Sequence, residues 1–475
     1  MIKKILITAA AAFVIMLGAF AIRTNAEELN IDVETSDGYP TDILTDDDYF
    51  TLDYYREGTT VTIRADEPIA YLYIKWDTVP GAWKLTSGGN TRTYGSKGFL
   101  HELVKVDSPS NEVVMEIVVD RTYITDIYAF SEGALPDWVQ DWEEPYEEAD
   151  ILFFSTHSDD EVLFFGGLIP NYTNGGKYRV QVAYFSNLWL TESYRNHELL
   201  DGIWCMGVRH YPQLGEFEDI YSESLEEAEG MYDHDEALEY VVRTIRRFKP
   251  QVMVAQDLNG EYGHGMHMLT AELTTEAIEI AGDESRYPQS ASQYGTWSVP
   301  KTYLHLYSEN PIEANARVPL DDFGGMTALE VATKAYTTCH LSQQWMWFYV
   351  SDGYDDDGNP NGYEYSCTKY GLYRSLVGSD TGNDIMEHIT PYDEQKPDEP
   401  ESTPEETETT PEGGDKDKSK NVDGWLKVLI IIVSILLVIF IVLLIWASIV
   451  RSKKKKLAEQ RRIQRMQQRN RDSRK

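Results

Sequence analysis

The sequence predicts an α/β fold: a mostly parallel sheet with helices on both faces, preceded by a small β-sandwich and followed by a single transmembrane helix. Three observations carry that prediction. From about residue 148, apolar runs of strand length alternate with amphipathic runs of helix length, the pattern of βαβ units and so of a parallel sheet. Between 27 and 140, alternating runs such as TVTIRA (60–65), AYLYIKW (70–76) and EVVMEIVV (112–119) are broken by turn clusters like SGGN (87–90), which is the rhythm of a sandwich. Near the C-terminus the 23 residues Val428–Val450 carry no charge, long enough to span a hydrocarbon core of about 30 Å.

Taken in order, residues 1–26 read as a secretory signal, since Lys3 and Lys4 precede an apolar run and Thr24-Asn25-Ala26 is a small-x-small cleavage site. The lesser alternative is an uncleaved anchor. The sandwich occupies 27–140; within it Trp76 and Trp83 are either sugar-stacking platforms or core and edge aromatics, the second reading being favoured. The α/β domain occupies 148–392, with strands expected at 151–156, 179–185, 251–255 and 302–306 and helices near 161–174, 191–206, 234–248 and 266–281. Residues 393–424 form an acidic stalk with almost no apolar side chains to offset ordering entropy. A transmembrane helix at 425–450 follows, then a basic tail at 451–475. That tail holds 12 Lys/Arg against 2 Asp/Glu, and the positive-inside rule places it in the cytoplasm, with the folded body outside the cell.

Charge excludes some functions. With 79 Asp+Glu against 42 Lys+Arg and a net charge of −37, the body repels nucleic acid. Three cysteines (Cys205, Cys339 and Cys367) rule out a four-thiolate zinc site and allow one disulfide at most.

The chemistry concentrates in two places. FFSTHSDDEVLFFGG (153–167) sets His157, Asp159, Asp160 and Glu161 between two apolar runs. At a strand end entering a helix, side chains three apart converge, so His157 and Asp160 can grip one cation while Asp159 points elsewhere. A polar helix-capping cluster explains that stretch alone almost as well. The second place is GEYGHGMHM (260–268), after the buried run VMVAQD, where His264 and His267 share one face of an early helical turn. Nitrogen and oxygen donors from two strand ends suit Zn²⁺, and three protein ligands with an open position is the catalytic arrangement.

The stretches THSDDEVLFFGGL, YRNHELLDGIWCMGV and IRRFKPQVMVAQDLNGEYGHGMHMLTAELTTEAI resemble the GlcNAc-phosphatidylinositol de-N-acetylase family (PIG-L, LmbE-like), over roughly 148–390. The resemblance implies a Rossmann-like sheet and a zinc-dependent deacetylase. It implies His157, Asp160 and His267 as zinc ligands, Asp159 as general base, and His264 as oxyanion stabiliser or acid to the leaving amine. It also implies that Arg195 holds the substrate. Two departures stand out: Ser158 replaces the family's usual proline, and Met266 stands where many members carry Asp. Glu161 is expected to support the site or start the helix.

GYDDDGNPNGYE (353–364) approaches a calcium loop, but Gly353 occupies the first-ligand position, so an acidic surface loop is expected. His340 reads equally as structural or as part of a substrate wall, and Trp345 and Trp347 as a sugar-binding wall or as packing. The combined expectation is an exported, membrane-anchored enzyme that hydrolyses the acetamide of an N-acetylated amino sugar in a glycan or glycolipid. The rival is a surface glycan-binding protein with an inactive domain.

Overall fold

The computed structural model describes residues 25–188, 192–344 and 347–395. The expected spanning helix, nearly all of the expected signal, the basic tail, Trp345 and the stalk beyond Gln395 lie outside these. Among the described residues, no helix is long and apolar enough to cross a membrane.

The N-terminal strands are β1 (Ile31–Thr35), β2 (Asp53–Tyr55), β3 (Thr60–Trp76), β4 (Trp83–Ser87), β5 (Asn90–Tyr94), β6 (His101–Ile117) and β7 (Thr122–Phe130). All their pairings are antiparallel. The sequence reading expects the two sheets of a sandwich, whereas hydrogen bonding runs through one continuous seven-stranded sheet. The reason lies in β3 and β6, each 17 residues long. Thr60–Arg64 pair with β1 and the far half of β6, Tyr71–Lys75 pair with β7 and its near half, and the register shifts in between. Such irregularities bend a strand without ending it. Trp76 and Trp83 are buried and both donate Nε1–H to Glu102 Oε2, at 3.1 and 2.8 Å. They are core residues and not platforms.

The second sheet contains β8 (Ile151–Ser155), β9 (Val180–Tyr184), β12 (Val252–Ala255), β13 (Lys301–His305), β14 (Pro311–Glu313) and β15 (Lys369–Ser375), in the order β14-β15-β13-β12-β8-β9. The strands β9, β8, β12 and β13 run parallel, and β15 and β14 add an antiparallel edge. β8, β9, β12 and β13 are buried along their whole length, as parallel strands covered on both faces must be. Helices His234–Phe248 and Gly265–Ile280 pack on one face, and Tyr194–Cys205 and Ala328–Cys339 on the other. The second core also takes in Trp76, Trp83 and Ile124 from the N-terminal sheet.

The helix expected at 161–174 is split into Asp160–Leu163 and Ile169–Thr173. Gly166 and Gly167 lie between, where backbone comes too close for a side chain. A Cβ on Gly166 would sit 2.3 Å from Val162 O, and one on Gly167 would sit 2.3 Å from Cys367 O. The edge strands β14 and β15 and the helix Ala328–Cys339 were not anticipated. Residues 353–364 form a largely exposed loop in which Asp355 Oδ1 accepts from the Asp357 and Asn359 amides at 3.0 and 2.8 Å.

A buried polar seam joins the N-terminal sheet to the helix Tyr194–Cys205. His101 Nε2 lies 2.8 Å from His197 Nδ1, and His101 Nδ1 lies 2.7 Å from Gln140 Oε1. Tyr49 and Gln140 donate to Asp201 at 2.5 and 2.6 Å, and the buried Lys75 ammonium also contacts Tyr49. Burial, then Lys75, pushes His101 well below its usual value; burial, then His101 and Lys75, does the same to His197. Both rings are neutral when folded but take up a proton near pH 6.5 when unfolded. The seam's stability is complete above that pH and falls as pH drops below it, by up to about 1.4 kcal/mol per pH unit for each ring. Denaturant unfolding between pH 7.5 and 5 should therefore show a flatter pH profile for His101→Gln/His197→Asn than for the parent chain. Parallel profiles would contradict this reading of the seam.

Candidate metal centre

β8 leads to β9 on one side, while β12 lies on its other side, so the chain's direction of travel reverses between β8 and β12. Ligands of open α/β sheets bind in the crevice at such a switch point, beyond the carboxyl ends of the strands. The segment 156–161 leaves β8 there, and 256–267 leaves β12 there.

Both segments deliver their donors inward. His157 Nδ1, Asp160 Oδ2 and His267 Nε2 form a triangle with sides of 2.9, 3.1 and 3.1 Å. All three side chains are buried. His264 joins more loosely: donor atoms of His157, His264 and His267 lie within 4.8 Å of one another. The His157 amide fixes Asp160 from behind, donating to Oδ2 at 2.8 Å.

The electrostatics fit a cation. Burial alone would raise the Asp160 carboxyl, but His267 and His157 outweigh it and hold the group well below the usual carboxylate range. Burial would lower His267, yet Asp160 and Glu261 pull it up to about 10. Two imidazole nitrogens 2.9 Å apart beside an ionised carboxylate need something positive between them, and a divalent ion supplies it better than a proton. The donor set fits a metal.

The surrounding residues aim these donors. Glu261, fully buried, accepts from His267 Nδ1 at 2.7 Å and from His305 Nδ1 at 2.6 Å. Burial raises Glu261, but His267 and His305 bring it down to about 2. A carboxylate on the far nitrogen fixes the ring's tautomer and strengthens it as a ligand. Asp219, placed by the short parallel pair β10 (Ser186–Asn187) and β11 (Phe217–Glu218), lies 3.4 Å from His157 Nε2 and 3.5 Å from Arg195 Nη1. The sequence reading missed Glu261, Asp219 and His305; a carboxylate six residues before His267 was the one available signal.

Asp159 stands outside the triangle. Its φ of 127° is costly for a residue with a Cβ, and it is held by its amide donating to Glu161 Oε2 at 2.9 Å. Its carboxylate meets Arg195 Nη2 at 3.6 Å. Burial lifts the Asp159 carboxyl to about 7 against the pull of Arg195. Glu161 is itself fully buried, 3.1 Å from His340 Nε2, so both belong to the support behind the turn. Ser158 and Arg195 clasp each other: Ser158 Oγ donates to Arg195 O at 2.9 Å, and Arg195 Nη2 donates to Ser158 O at 2.7 Å. That pair restrains the turn where the family's usual proline is missing. Met266 is buried in the core, with Tyr232 OH 3.1 Å from its sulfur.

A cavity of about 500 Å³ opens over the triangle, lined by Asp159, Arg195 and His264 and walled by Tyr221, Tyr262 and Phe348. The His264 Nδ1 accepts from the Met266 amide at 3.2 Å, which leaves Nε2 as the protonated nitrogen. Burial, then His157 and His267, lowers His264 to about 2, so its ring is a neutral donor.

Residues 152–278 match the family described as PIG-L, GlcNAc-PI de-N-acetylase. A mycothiol S-conjugate amidase of Streptomyces coelicolor is 45% identical over 80 residues, 17% of this chain and 27% of that protein. A 1D-myo-inositol 2-acetamido-2-deoxy-alpha-D-glucopyranoside deacetylase of Mycobacterium leprae is 29% identical over 191 residues, 34% of this chain and 62% of that one. The chain thus spans less than two thirds of the length of either relative. The solved N,N'-diacetylchitobiose deacetylase of Pyrococcus horikoshii gives a TM-score of 0.33 at 17% identity, over 43% of this chain and 75% of that one. Within the PIG-L stretch lie all six residues named from sequence, together with Asp219 and Glu261; His305 and His340 lie beyond it.

Glu261→Gln keeps the side chain's size and removes its charge. It should weaken Co²⁺ or Zn²⁺ binding about 10- to 100-fold, measured by competition with a chromogenic chelator. Unchanged affinity would show that Glu261 does not support the ligand set.

Proposed function

We propose that the chain is a zinc-dependent de-N-acetylase, acting on an N-acetylated amino sugar outside the cell and tethered by its C-terminal apolar segment. The observation that carries the proposal is the triangle of His157, Asp160 and His267 with a separate, raised carboxylate, Asp159, at the mouth of the same cavity. The PIG-L match and the relatives named for deacetylation of acetamido sugars support it. Zinc is the metal that this mixture of two imidazoles and one carboxylate suits. The uncharged run Val428–Val450 before RSKKKK supports the tether and its orientation.

When bound, the metal polarises the acetyl carbonyl and brings the pKa of water towards about 7. The chain's residues do the rest. Asp159 takes the proton of the attacking water as its oxygen adds to the acetyl carbon. The neutral His264 Nε2–H donates to the carbonyl oxygen as negative charge gathers there. The C–N bond then breaks, and Asp159 returns the proton to the departing amine, leaving acetate and a free amino sugar. Arg195, braced by Asp219 and Ser158, keeps the Asp159 carboxylate aimed into the cavity.

Asp159→Asn should keep metal stoichiometry and cut acetate release from N-acetylated sugars by about 10²–10⁴. Full activity in that variant would remove Asp159 as base, and no release by the parent chain would remove the activity. Arg195→Gln has its own signature. The guanidinium favours the ionised carboxylate, so its loss should move the ascending limb of the kcat/KM pH profile to higher pH. An unmoved limb would leave Arg195 no role on the base.

A further inference from the structure

The loop 46–52 of the N-terminal sheet packs beside the helix Tyr194–Cys205, and its side chains divide sharply. Tyr49 turns inward to Asp201 and His197, at 2.5 Å and with ring centroids 4.8 Å apart. Its neighbour Phe50 turns outward and is 64% exposed. The loop around them is tightly tied. Asp46 accepts from Thr51 Oγ1 at 3.0 Å and from the Asp48 amide at 3.1 Å, Asp48 accepts from the Phe50 amide at 3.1 Å, and the Asp47 amide donates to Asp126 at 2.8 Å. The phenyl ring is thus held in one place at the surface by a firmly tied loop.

That position adjoins the helix start that carries Arg195. The Phe50 ring lies 4.3 Å from the ring of Tyr194, the residue that precedes Arg195 at the start of the helix. Glu192 lines the cavity and reaches Arg195 Nη1 at 3.4 Å. A path therefore runs from Arg195 in the cavity wall to its helix neighbour Tyr194, and from that ring to Phe50. The two parts of the chain are pinned together along the same line, with Ser193 Oγ donating to Asp77 at 2.5 Å. An exposed aromatic face beside a carboxylate offers stacking for the apolar face of a pyranose and an acceptor for its hydroxyls. Asp46, Asp47, Asp48 and Glu192 make this rim acidic, so the ring that lies there is neutral and not a phosphorylated or acidic sugar.

We propose that Phe50 and Tyr194 form a second sugar subsite, and that the substrate is an oligosaccharide, with its acetamido sugar in the cavity and the neighbouring neutral pyranose stacked on Phe50. This rests on the deacetylase reading for the identity of the first sugar. The N-terminal sheet thereby serves as one wall of the substrate cleft.

The test is calorimetric titration of the full chain, carrying Asp159→Asn so that acetyl groups stay in place, with tetra-N-acetylchitotetraose and with N-acetylglucosamine. The tetramer should bind more tightly than the monosaccharide. Phe50→Ala should weaken tetramer binding about tenfold, and Phe50→Trp should restore it. If Phe50 only packs on Tyr194, Phe50→Ala lowers the thermal midpoint and leaves the affinity unchanged, and the proposal falls. Equal affinity for the two sugars overturns it as well. Acetate release by the parent chain is measured separately: release with equal affinities sinks only the subsite, whereas tetramer binding through Phe50 without release sinks only the deacetylase reading.

Discussion

Two imidazoles and a carboxylate buried within 3.1 Å of one another at the ends of β8 and β12 set the terms for everything around them. Such a cluster is costly unless a positive charge sits inside it, and its geometry survives only if each member is held from outside. The holding groups are themselves buried. Glu261 is shared between His267 and His305, His305 Nε2 bonds to Ser366 O at 2.9 Å, and Asp160 is fixed by the His157 amide. The outermost parallel strand is thus part of the site, because β13 carries the His305 that anchors the Glu261 carboxylate.

The N-terminal sheet bears on the same centre from the opposite direction. Its buried seam with the helix Tyr194–Cys205 fixes the helix that begins with Tyr194 and Arg195. Arg195 in turn clasps Ser158 in the turn carrying Asp159. Through this chain of contacts, residues more than fifty positions before the matched stretch, such as Lys75 and His101, help place Asp159. The expected boundary between two domains is, in packing terms, a shared core.

What could be read from sequence divides along physical lines. The parallel strands were visible because burial on both faces makes them continuous apolar runs, and their bounds at 151–155 and 252–255 fall within a residue of expectation. The clustered donors were visible because helical spacing brings His157 to Asp160 and His264 to His267. Glu261 and Asp219 were hidden because a lone acid in so acidic a chain carries no local mark; only the fold brings them to His267 and His157. The break at Gly166-Gly167 was hidden too, since it answers to Ala332 and Cys367, some two hundred residues away. Trp76 and Trp83 follow the favoured core reading: both indoles are buried and donate to Glu102.

The central claim is that His157, Asp160 and His267 together hold one metal ion. X-ray absorption at the zinc edge of the purified full chain tests it directly. The account predicts a single zinc per chain with nitrogen and oxygen neighbours at about 2.0–2.2 Å, and loss of one imidazole from that shell in His267→Ala. A chain that takes up no metal, or a shell unaltered by His267→Ala, would contradict it.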